Sequence, residues 1–311
     1  MKLIFMGTPD LAAACLSGLL DGGYTVTAAV TQADRPRGRG YALTPPPVKE
    51  LAMARGIPVW QPTDLRAPEF LAQIREMAPD AIVVVAYGRI LPPALLDCPR
   101  LGCINLHASL LPRYRGAAPI QRAIMNGETE TGLTTMHMAE GLDTGDMILS
   151  ERLAIRPEDN FGTLHDRMAV CGGPLLCRTL AMLATGTAPR LVQDEAKASY
   201  AAKIRKEDCA LDFRRSASEL DCHIRGLSPA PLAFCHRPDG RMLKILRAEP
   251  TEGSGKPGEV LALSDRREGS ITVACGTGAL RIRELVPEGK GRMRAADYVR
   301  GRQIREKEVL Y

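Results

Sequence analysis

The residues best suited to do chemistry in this chain are Asn105 and His107, at the end of a short apolar run that begins at Gly102. Side chains two residues apart on a strand point to the same face, so this amide and imidazole should share one crevice at the carboxyl end of the strand. Such a pair can hold a carbonyl oxygen and stabilise the negative charge that grows there when an amine attacks, as acyl transfer requires. Taken alone, the pair can also be a capping asparagine and a buried histidine satisfied by backbone.

A second polar segment, Gly141-Leu142-Asp143-Thr144-Gly145-Asp146, joins two alternating runs predicted as strands over 132–138 and 147–155. A carboxylate in that loop can orient His107 or relay a proton as the incoming amine loses its own. Both Asp143 and Asp146 are candidates for this role. Without Asn105 and His107 the loop would be an ordinary Asp/Gly turn.

Other chemistries find little support in the sequence. After the first predicted strand the chain reads Gly7-Thr8-Pro9-Asp10, which lacks the later glycines of a dinucleotide-binding turn, and no phosphate loop with lysine is present. Ser109 has no surrounding Gly-x-Ser-x-Gly elbow, which argues against a covalent mechanism. Nine cysteines without a Cys-x-x-Cys pair indicate reduced thiols, with neither a disulfide framework nor a metal site.

Composition places the chain among globular proteins, with 45% apolar and 25% charged residues. The apolar run that ends before Gly7 has only four residues, too few for a signal-peptide core, and no later apolar run is expected to cross a bilayer. We therefore expect a cytoplasmic protein without a membrane partner.

The elements that must position these residues follow an alternating pattern over the first two thirds of the chain. Apolar runs of strand length alternate with segments of helical spacing, which predicts an α/β fold with a Rossmann-like, mostly parallel sheet. Strands are predicted at 3–6, 24–31, 57–60, 81–87 and 102–106, and helices are predicted up to residue 20 and at 48–55, 68–77, 119–126 and 161–184. The strands 132–138 and 147–155 should pair antiparallel.

A polar, weakly periodic segment suggests two domains, in keeping with the 311-residue length. We predict a catalytic domain over 1–188, a linker over 189–207 and a second domain over 208–311. In the last part, a helix near 216–226 is followed by short strand-like runs between turn signals, which predicts a small β-barrel. These runs are 232–236, 242–246, 258–263, 270–274 and 279–285.

The charge of the chain is unevenly distributed. Residues 1–204 hold 20 basic and 20 acidic side chains, whereas residues 205–311 hold 21 and 16, so the whole formal excess of +5 lies in the last third. A basic domain of this kind favours a polyanionic partner such as nucleic acid. An ordinary basic surface remains the alternative.

Several motifs together resemble the methionyl-tRNA formyltransferase family, a branch of the folate-dependent formyltransferases. The motifs are Asn105 to Pro112, Arg115-Gly116-Ala117 and 141–146, and the segments 7–9, 31–40, 84–91, 119–122 and 227–229 resemble the same family in the same order. Nearly the whole chain is covered. The resemblance implies a catalytic set of Asn105, His107 and Asp143, with Asp143 preferred to Asp146 because it occupies the motif position.

The family's reaction implies the substrates. A formyl group would pass from 10-formyltetrahydrofolate to the amino group of methionyl initiator tRNA, with the folate held by backbone near 87–91 and by Ser109, Leu110, Leu111 and Pro112. Arg89 stands where the tRNA enzymes usually carry a small or apolar residue and where relatives acting on small substrates carry arginine. A formyltransferase acting on a small amine or amino sugar is therefore the alternative.

The segment 32–47 is far longer than the roughly 2–6 residues usual for a strand-to-helix connection. Its arginines at 35, 37 and 39 and its glycines suit either a solvated loop or one that orders on RNA. The resemblance implies the latter, with Arg37 and Arg39 binding the tRNA acceptor arm. It further implies an oligonucleotide-binding-type C-terminal barrel that contacts tRNA phosphates. A monomer without metal is expected.

Overall fold

The computed structural model describes residues 1–37 and 42–311, and the chain divides into two units. The first unit comprises Met1–Pro119, Glu130–Ala154 and His165–Ala202; the second comprises Ile120–Thr129, Ile155–Leu164 and Lys203–Tyr311. Most of the segment predicted as a linker, up to Ala202, thus belongs to the first unit. The assignment of 1–188 and 208–311 as separate domains stays a prediction.

The first 202 residues form six helices and eleven strands, some of them very short, within the described residues. In chain order these are β1 (Lys2–Gly7), α1 (Asp10–Asp21), β2 (Thr25–Val30), β3 (Arg35–Arg37), β4 (Ala42–Thr44), α2 (Pro47–Ala54), β5 (Val59–Trp60), α3 (Pro68–Met77), β6 (Ala81–Val85), α4 (Pro93–Leu96), β7 (Cys103–His107), β8 (Arg115–Gly116), α5 (Pro119–Met125), β9 (Glu130–His137), β10 (Met147–Ala154), α6 (Phe161–Thr185) and β11 (Tyr200–Ala201). The helices and longer strands lie within a few residues of their predicted positions, because hydrophobic period and turn residues act locally.

A seven-stranded sheet forms the first unit, in the order β10-β9-β7-β6-β1-β2-β5. Strands β1, β2, β5, β6 and β7 are parallel, whereas β9 is antiparallel to both β7 and β10. The predicted mostly parallel sheet with an antiparallel pair is confirmed. All five residues of β6 and of β7 are buried, which explains why β6 is a continuous apolar run; β7 buries two polar residues, Asn105 and His107.

We expected no segment to be apolar enough to cross a membrane. That expectation is wrong for α6, which is long and apolar enough to do so by length and composition alone. In the fold, however, this helix packs against the sheet and α1, with Leu175, Leu176 and Leu180 fully buried. A Cβ added to Gly18 of α1 would lie 2.7 Å from the Cα of Gly173 of α6. Because only glycine permits such a close backbone approach, these two glycines allow α6 to pack closely against α1.

The second unit contains an antiparallel sheet of short strands. Beyond Ala202 the elements are α7 (Ala217–Leu227), β12 (Ala233–His236), β13 (Met242–Thr251), β14 (Val260–Leu263), β15 (Ile271–Ala274), β16 (Ala279–Pro287), β17 (Met293–Arg294) and α8 (Ala295–Arg300). The sheet order is β12-β13-β16-β15-β14, with β17 on β16. Helix α7 begins at a capping box in which Ser216 and Glu219 each satisfy a backbone N–H of the other. The predicted antiparallel β domain is confirmed, whereas α8 was not predicted.

Candidate functional site

Asn105 and His107 lie on one face at the carboxyl end of β7, in the middle of the seven-stranded sheet. Both are buried, with exposed fractions of 9% and 6%. The side-chain amide of Asn105 makes no hydrogen bond to any residue that the structure describes. A buried amide costs free energy until it is paired, so Asn105 is available to a bound substrate.

The imidazole of His107 is held on both sides. Its Nε2 atom lies 2.9 Å from the backbone carbonyl of Tyr114, and because a carbonyl only accepts, Nε2 carries the hydrogen. Its Nδ1 atom lies 3.6 Å from Oδ2 of Asp143. In the neutral ring Nδ1 is therefore the basic nitrogen, and a proton taken up there would face a carboxylate.

Asp143 reaches the histidine from the loop between β9 and β10. Its backbone is in the left-handed region, with φ of 52°, and its Oδ2 atom accepts a hydrogen bond of 2.8 Å from the backbone N–H of Gly116. Aspartate is one of the few non-glycine residues that adopt this conformation repeatedly, usually as a single residue in a turn.

The rival acid, Asp146, points elsewhere. Its carboxylate accepts a 3.0 Å hydrogen bond from Nε of Arg190, and its backbone carbonyl accepts from the N–H of His137 at 2.9 Å. The structure brings Asp143 and not Asp146 to His107. The assignment of Asn105, His107 and Asp143 as the catalytic set remains a prediction.

A buried polar network underlies the Asp143 loop, and sequence patterns assigned it no role. Nε2 of Gln193 donates to the backbone carbonyls of Asp143 and Gly145, both at 2.8 Å. Its Oε1 atom accepts from Nε and Nη2 of Arg115 at 3.0 and 2.9 Å. The fully buried guanidinium of Arg115 also forms a bidentate pair with Glu195. The hydrogen bond from Arg115 lowers the pKa of the Glu195 carboxyl.

Ser109–Pro112, predicted to contact folate, form a turn directly after β7. Ser109 is fully buried, and its hydroxyl donates to the carbonyl of Arg113 at 2.6 Å. The N–H of Leu111 donates to the Thr134 hydroxyl at 3.3 Å. The hydroxyl of Ser109 therefore serves to shape the turn.

The other predicted folate segment, 87–91, follows β6, the neighbour of β7. The backbone carbonyl of Tyr87 accepts from Nε2 of Gln32 at 2.7 Å, which anchors the start of the long loop 32–47. Arg89 donates to the carbonyls of Pro62 and Thr63, both at 2.8 Å. Arg89 therefore fixes a neighbouring loop of its own chain.

The proposed RNA-binding residues are only partly within the described structure. Arg37 ends β3, which pairs antiparallel with β4, whereas Arg39 lies outside the described residues. The base of this hairpin is fixed by Lys49, whose ammonium donates to the Asp34 carboxylate at 2.8 and 2.9 Å and to Oε1 of Gln61 at 2.9 Å. Within the connection predicted as a loop, the described residues thus include a pair of short antiparallel strands whose base is anchored.

Cysteine chemistry is disfavoured beside the site. Burial raises the pKa of Cys103, two residues before Asn105, to about 12, so the thiol stays protonated at neutral pH. Within the described part of the chain, all nine cysteines are free, and no three metal-ligating side chains come together.

The second unit carries a separate cleft of about 810 Å³. Its charged lining residues are Arg247, Glu249, Arg267, Glu268, Arg283, Glu284, Arg292, Arg294 and Asp297. Arg283 pairs with Glu249 at 2.6 Å, and Arg292 pairs with Glu284. By contrast, Arg267 and Arg294 have no ionic partner among the residues described, so they are available to an anion.

Comparison with known proteins identifies both parts of the chain. Residues 1–180 match the formyl transferase family, and residues 203–303 match the formyl transferase C-terminal domain. The chain is 49% identical over 301 residues to the methionyl-tRNA formyltransferase of Geobacter metallireducens, covering 97% of this chain and 96% of that protein. It is 50% identical over 312 residues to the methionyl-tRNA formyltransferase of Moorella thermoacetica, covering 100% and 99%.

A more distant solved structure shares the fold. HypX from Aquifex aeolicus, in complex with tetrahydrofolic acid, superposes with a TM-score of 0.65 at 19% identity over 96% of this chain. The chain spans about half of that longer protein, 47%.

Proposed function

The chain belongs to the methionyl-tRNA formyltransferase family, and on that premise we propose that it formylates the amino group of methionyl initiator tRNA for translation initiation. The formyl donor in this family is 10-formyltetrahydrofolate. The observation that carries the proposal in this chain is the juxtaposition of His107 Nδ1 and Asp143 Oδ2, 3.6 Å apart, beside the Asn105 amide, which makes no hydrogen bond to any described residue.

Transfer of a formyl group to an amine makes two demands on the protein. Negative charge develops on the formyl oxygen, and a hydrogen-bond donor fixed in a buried site stabilises it. The acceptor must attack as a neutral amine and then lose a proton, and the nitrogen that leaves the formyl carbon must gain one. One C–N bond forms and another breaks, so a group that both accepts and returns a proton serves both ends.

The three proposed residues meet these demands. The Asn105 amide is a buried donor without a partner among the described residues, which suits it to the formyl oxygen. His107 Nδ1 can take a proton because its Nε2–H is committed to the Tyr114 carbonyl. The carboxylate of Asp143, 3.6 Å away, stabilises the resulting imidazolium through its charge.

The surrounding backbone fits the folate donor. The Ser109–Pro112 turn and the segment after β6 follow adjacent parallel strands, so both lie at the carboxyl edge of the sheet, where such folds bind ligands. Leu111 is largely buried, and Leu110 is only partly exposed. These residues would hold the pteridine, which would present the formyl group to the end of β7.

The tRNA would contact two regions. One is the segment 32–47, through Arg37 and Arg39, and the other is the second unit. In the second unit, Arg267 and Arg294 offer guanidinium groups without an ionic partner in the described structure, and the residues 205–311 carry a basic excess. Contacts with phosphate suit such side chains. We propose a cytoplasmic monomer, since its substrate is a component of translation.

A small amine or amino sugar is the alternative acceptor. The sequence feature that favoured it was Arg89, but this side chain is engaged with the carbonyls of Pro62 and Thr63. Its fixed position in the loop accounts for the arginine without a small substrate.

The proposal is tested by offering purified protein 10-formyltetrahydrofolate with methionyl initiator tRNA, free methionine or an amino-sugar nucleotide. We expect formylated product with the charged tRNA alone. Product formed only with a small amine would replace the proposed acceptor, and absence of any product with an intact donor would overturn formyl transfer itself.

A further inference from the structure

Asp143 takes part in hydrogen bonds through both its side chain and its backbone. Its φ of 52° lies in the left-handed region, which aspartate enters more readily than most residues with a side chain. The Gly116 N–H binds its carboxylate and does not contact the loop backbone. The backbone itself is held by Gln193, whose amide donates to the carbonyls of residues 143 and 145.

The opposite end of the Gln193 amide determines which way it faces. Arg115 donates two hydrogen bonds to Oε1 of Gln193, and a guanidinium has no acceptor. Oε1 must therefore face Arg115, and Nε2 must face the two carbonyls. Gln193 and Arg115 are 6% and 0% exposed, so water competes little for these hydrogen bonds, and the cation polarises the amide that it binds.

Glu195 completes this network from its outer side. It pairs with Arg115 at 2.7 and 2.9 Å and compensates the buried positive charge, which would otherwise be costly. Residues 193 and 195 lie in the segment that polarity marks as a linker, far along the chain from residue 143. Their contact with the Asp143 loop exists only in the folded unit.

We propose that Gln193 is a positioning residue for formyl transfer: through its two donated hydrogen bonds it holds Asp143 in line with His107. This proposal rests on the proposed function. Gln193 itself touches neither substrate nor the imidazole; it acts through the backbone of residues 143 and 145.

The substitution Gln193→Glu removes those two hydrogen bonds and adds a negative charge beside Arg115. Glutamate has the same shape and keeps an acceptor for Arg115, but it places an oxygen opposite both loop carbonyls. The loop should move away from that oxygen and carry Asp143 with it. Since a displacement of about 1 Å can cost on the order of 100-fold in rate, we expect kcat to fall roughly 10-fold to 100-fold with little change in either KM.

A matched control is Gln73→Glu, the same chemical change on the exposed surface of α3. It should retain wild-type kcat. Methionine has a similar length and no donor, so Gln193→Met should lower kcat to a similar extent without introducing a charge. If thermal unfolding shows that Gln193→Glu is unfolded, Gln193→Met takes its place.

The decisive measurement is a double-mutant cycle with Asp143→Asn. If Gln193 acts through Asp143, adding Gln193→Glu to Asp143→Asn should lower kcat by less than 2-fold, because the positioned group is already lost. A general structural defect would instead multiply with the loss at residue 143.

Failure of the positioning role and failure of the proposed function give different results. A slow Asp143→Asn variant combined with normal kcat in both Gln193 variants would overturn the positioning role while leaving formyl transfer intact. Multiplicative losses in the cycle would also overturn it. Wild-type kcat in Asp143→Asn, or no formylation by the unaltered protein, would show instead that the proposed site or function is wrong.

Discussion

The Nδ1 atom of His107 lies 3.6 Å from Oδ2 of Asp143, whereas its Nε2 atom is bound to the Tyr114 carbonyl at 2.9 Å. One nitrogen is thus committed to the fold, and the other faces the acid. The proposed proton transfer by His107 depends on that division of roles within one imidazole.

Replacing His107 by alanine should leave folding and tRNA affinity nearly unchanged and lower the rate of formyl transfer. The expected loss is on the order of 10²–10³-fold in kcat, since the group that handles charge and protons at the reacting centre is removed. Turnover at saturating donor and methionyl-tRNA measures it. Near-normal kcat in a folded variant would remove His107 from the mechanism.

Asn105→Ala should reduce kcat on a similar scale, roughly 10²–10³-fold, because the variant lacks the buried donor for the formyl oxygen. The donor KM should change much less, as a hydrogen bond that strengthens in the transition state contributes mainly to kcat. The opposite pattern, a raised KM with an unchanged kcat, would assign Asn105 to ground-state binding.

Substitution of the two acidic residues in the loop should affect kcat differently. Asp143→Asn should slow transfer, whereas Asp146→Asn should retain most activity because Asp146 is engaged with Arg190. Parallel kcat measurements on the two variants suffice. A fully active Asp143→Asn beside an inactive Asp146→Asn would reverse the assignment.

Arg39→Ala, with Arg37→Ala for comparison, should impair the use of methionyl-tRNA without disturbing donor binding. We expect KM for tRNA to rise and kcat to fall, since the hairpin should both bind and orient the acceptor end. The wild-type protein should also show a steeper salt dependence of tRNA binding than the variants. Unchanged formylation in the double variant would exclude the hairpin as an acceptor-arm reader.

A pH-dependent stability is expected from His223 of α7. Burial, aided by the charge of Arg215, lowers its pKa from 6.5 to about 4, and Nη1 of Arg215 lies 3.4 Å from its Nδ1. The unfolded chain therefore binds a proton that the folded chain excludes between about pH 6.5 and 4. The free energy of unfolding therefore keeps its full value above that window, as far as His223 is concerned, and decreases as the pH drops through it.

Between pH 7 and 5 the loss attributable to His223 should be about 2 kcal/mol. Urea unfolding of the wild-type protein and of His223→Gln at pH 7 and pH 5 isolates the contribution of His223, because the other titrating groups are common to the two proteins. The variant should be less sensitive to acid, and the two proteins should respond alike above pH 7. Equal sensitivity across the window would show that His223 does not carry this effect.

Local sequence determined the positions of most strands and the placement of two site residues in this protein. The period of the apolar residues located the strands of the catalytic sheet, and the two-residue spacing of Asn105 and His107 placed both on one face of β7, because alternation along a strand is a property of its backbone. The spacing of turn signals in the last third similarly predicted short strands, and its charge predicted a basic domain.

Only the tertiary structure decided which acid and which supporting residues meet the histidine. Asp143 and Asp146 lie in one loop with the same chemistry, and the backbone turn at Asp143 separates them by sending one toward His107 and the other toward Arg190. Arg115 and Gln193 are 78 residues apart in the chain, and no local pattern pairs them. Their burial together under that turn depends on the folded sheet, because hydrogen bonds between distant segments form only once packing has brought those segments together.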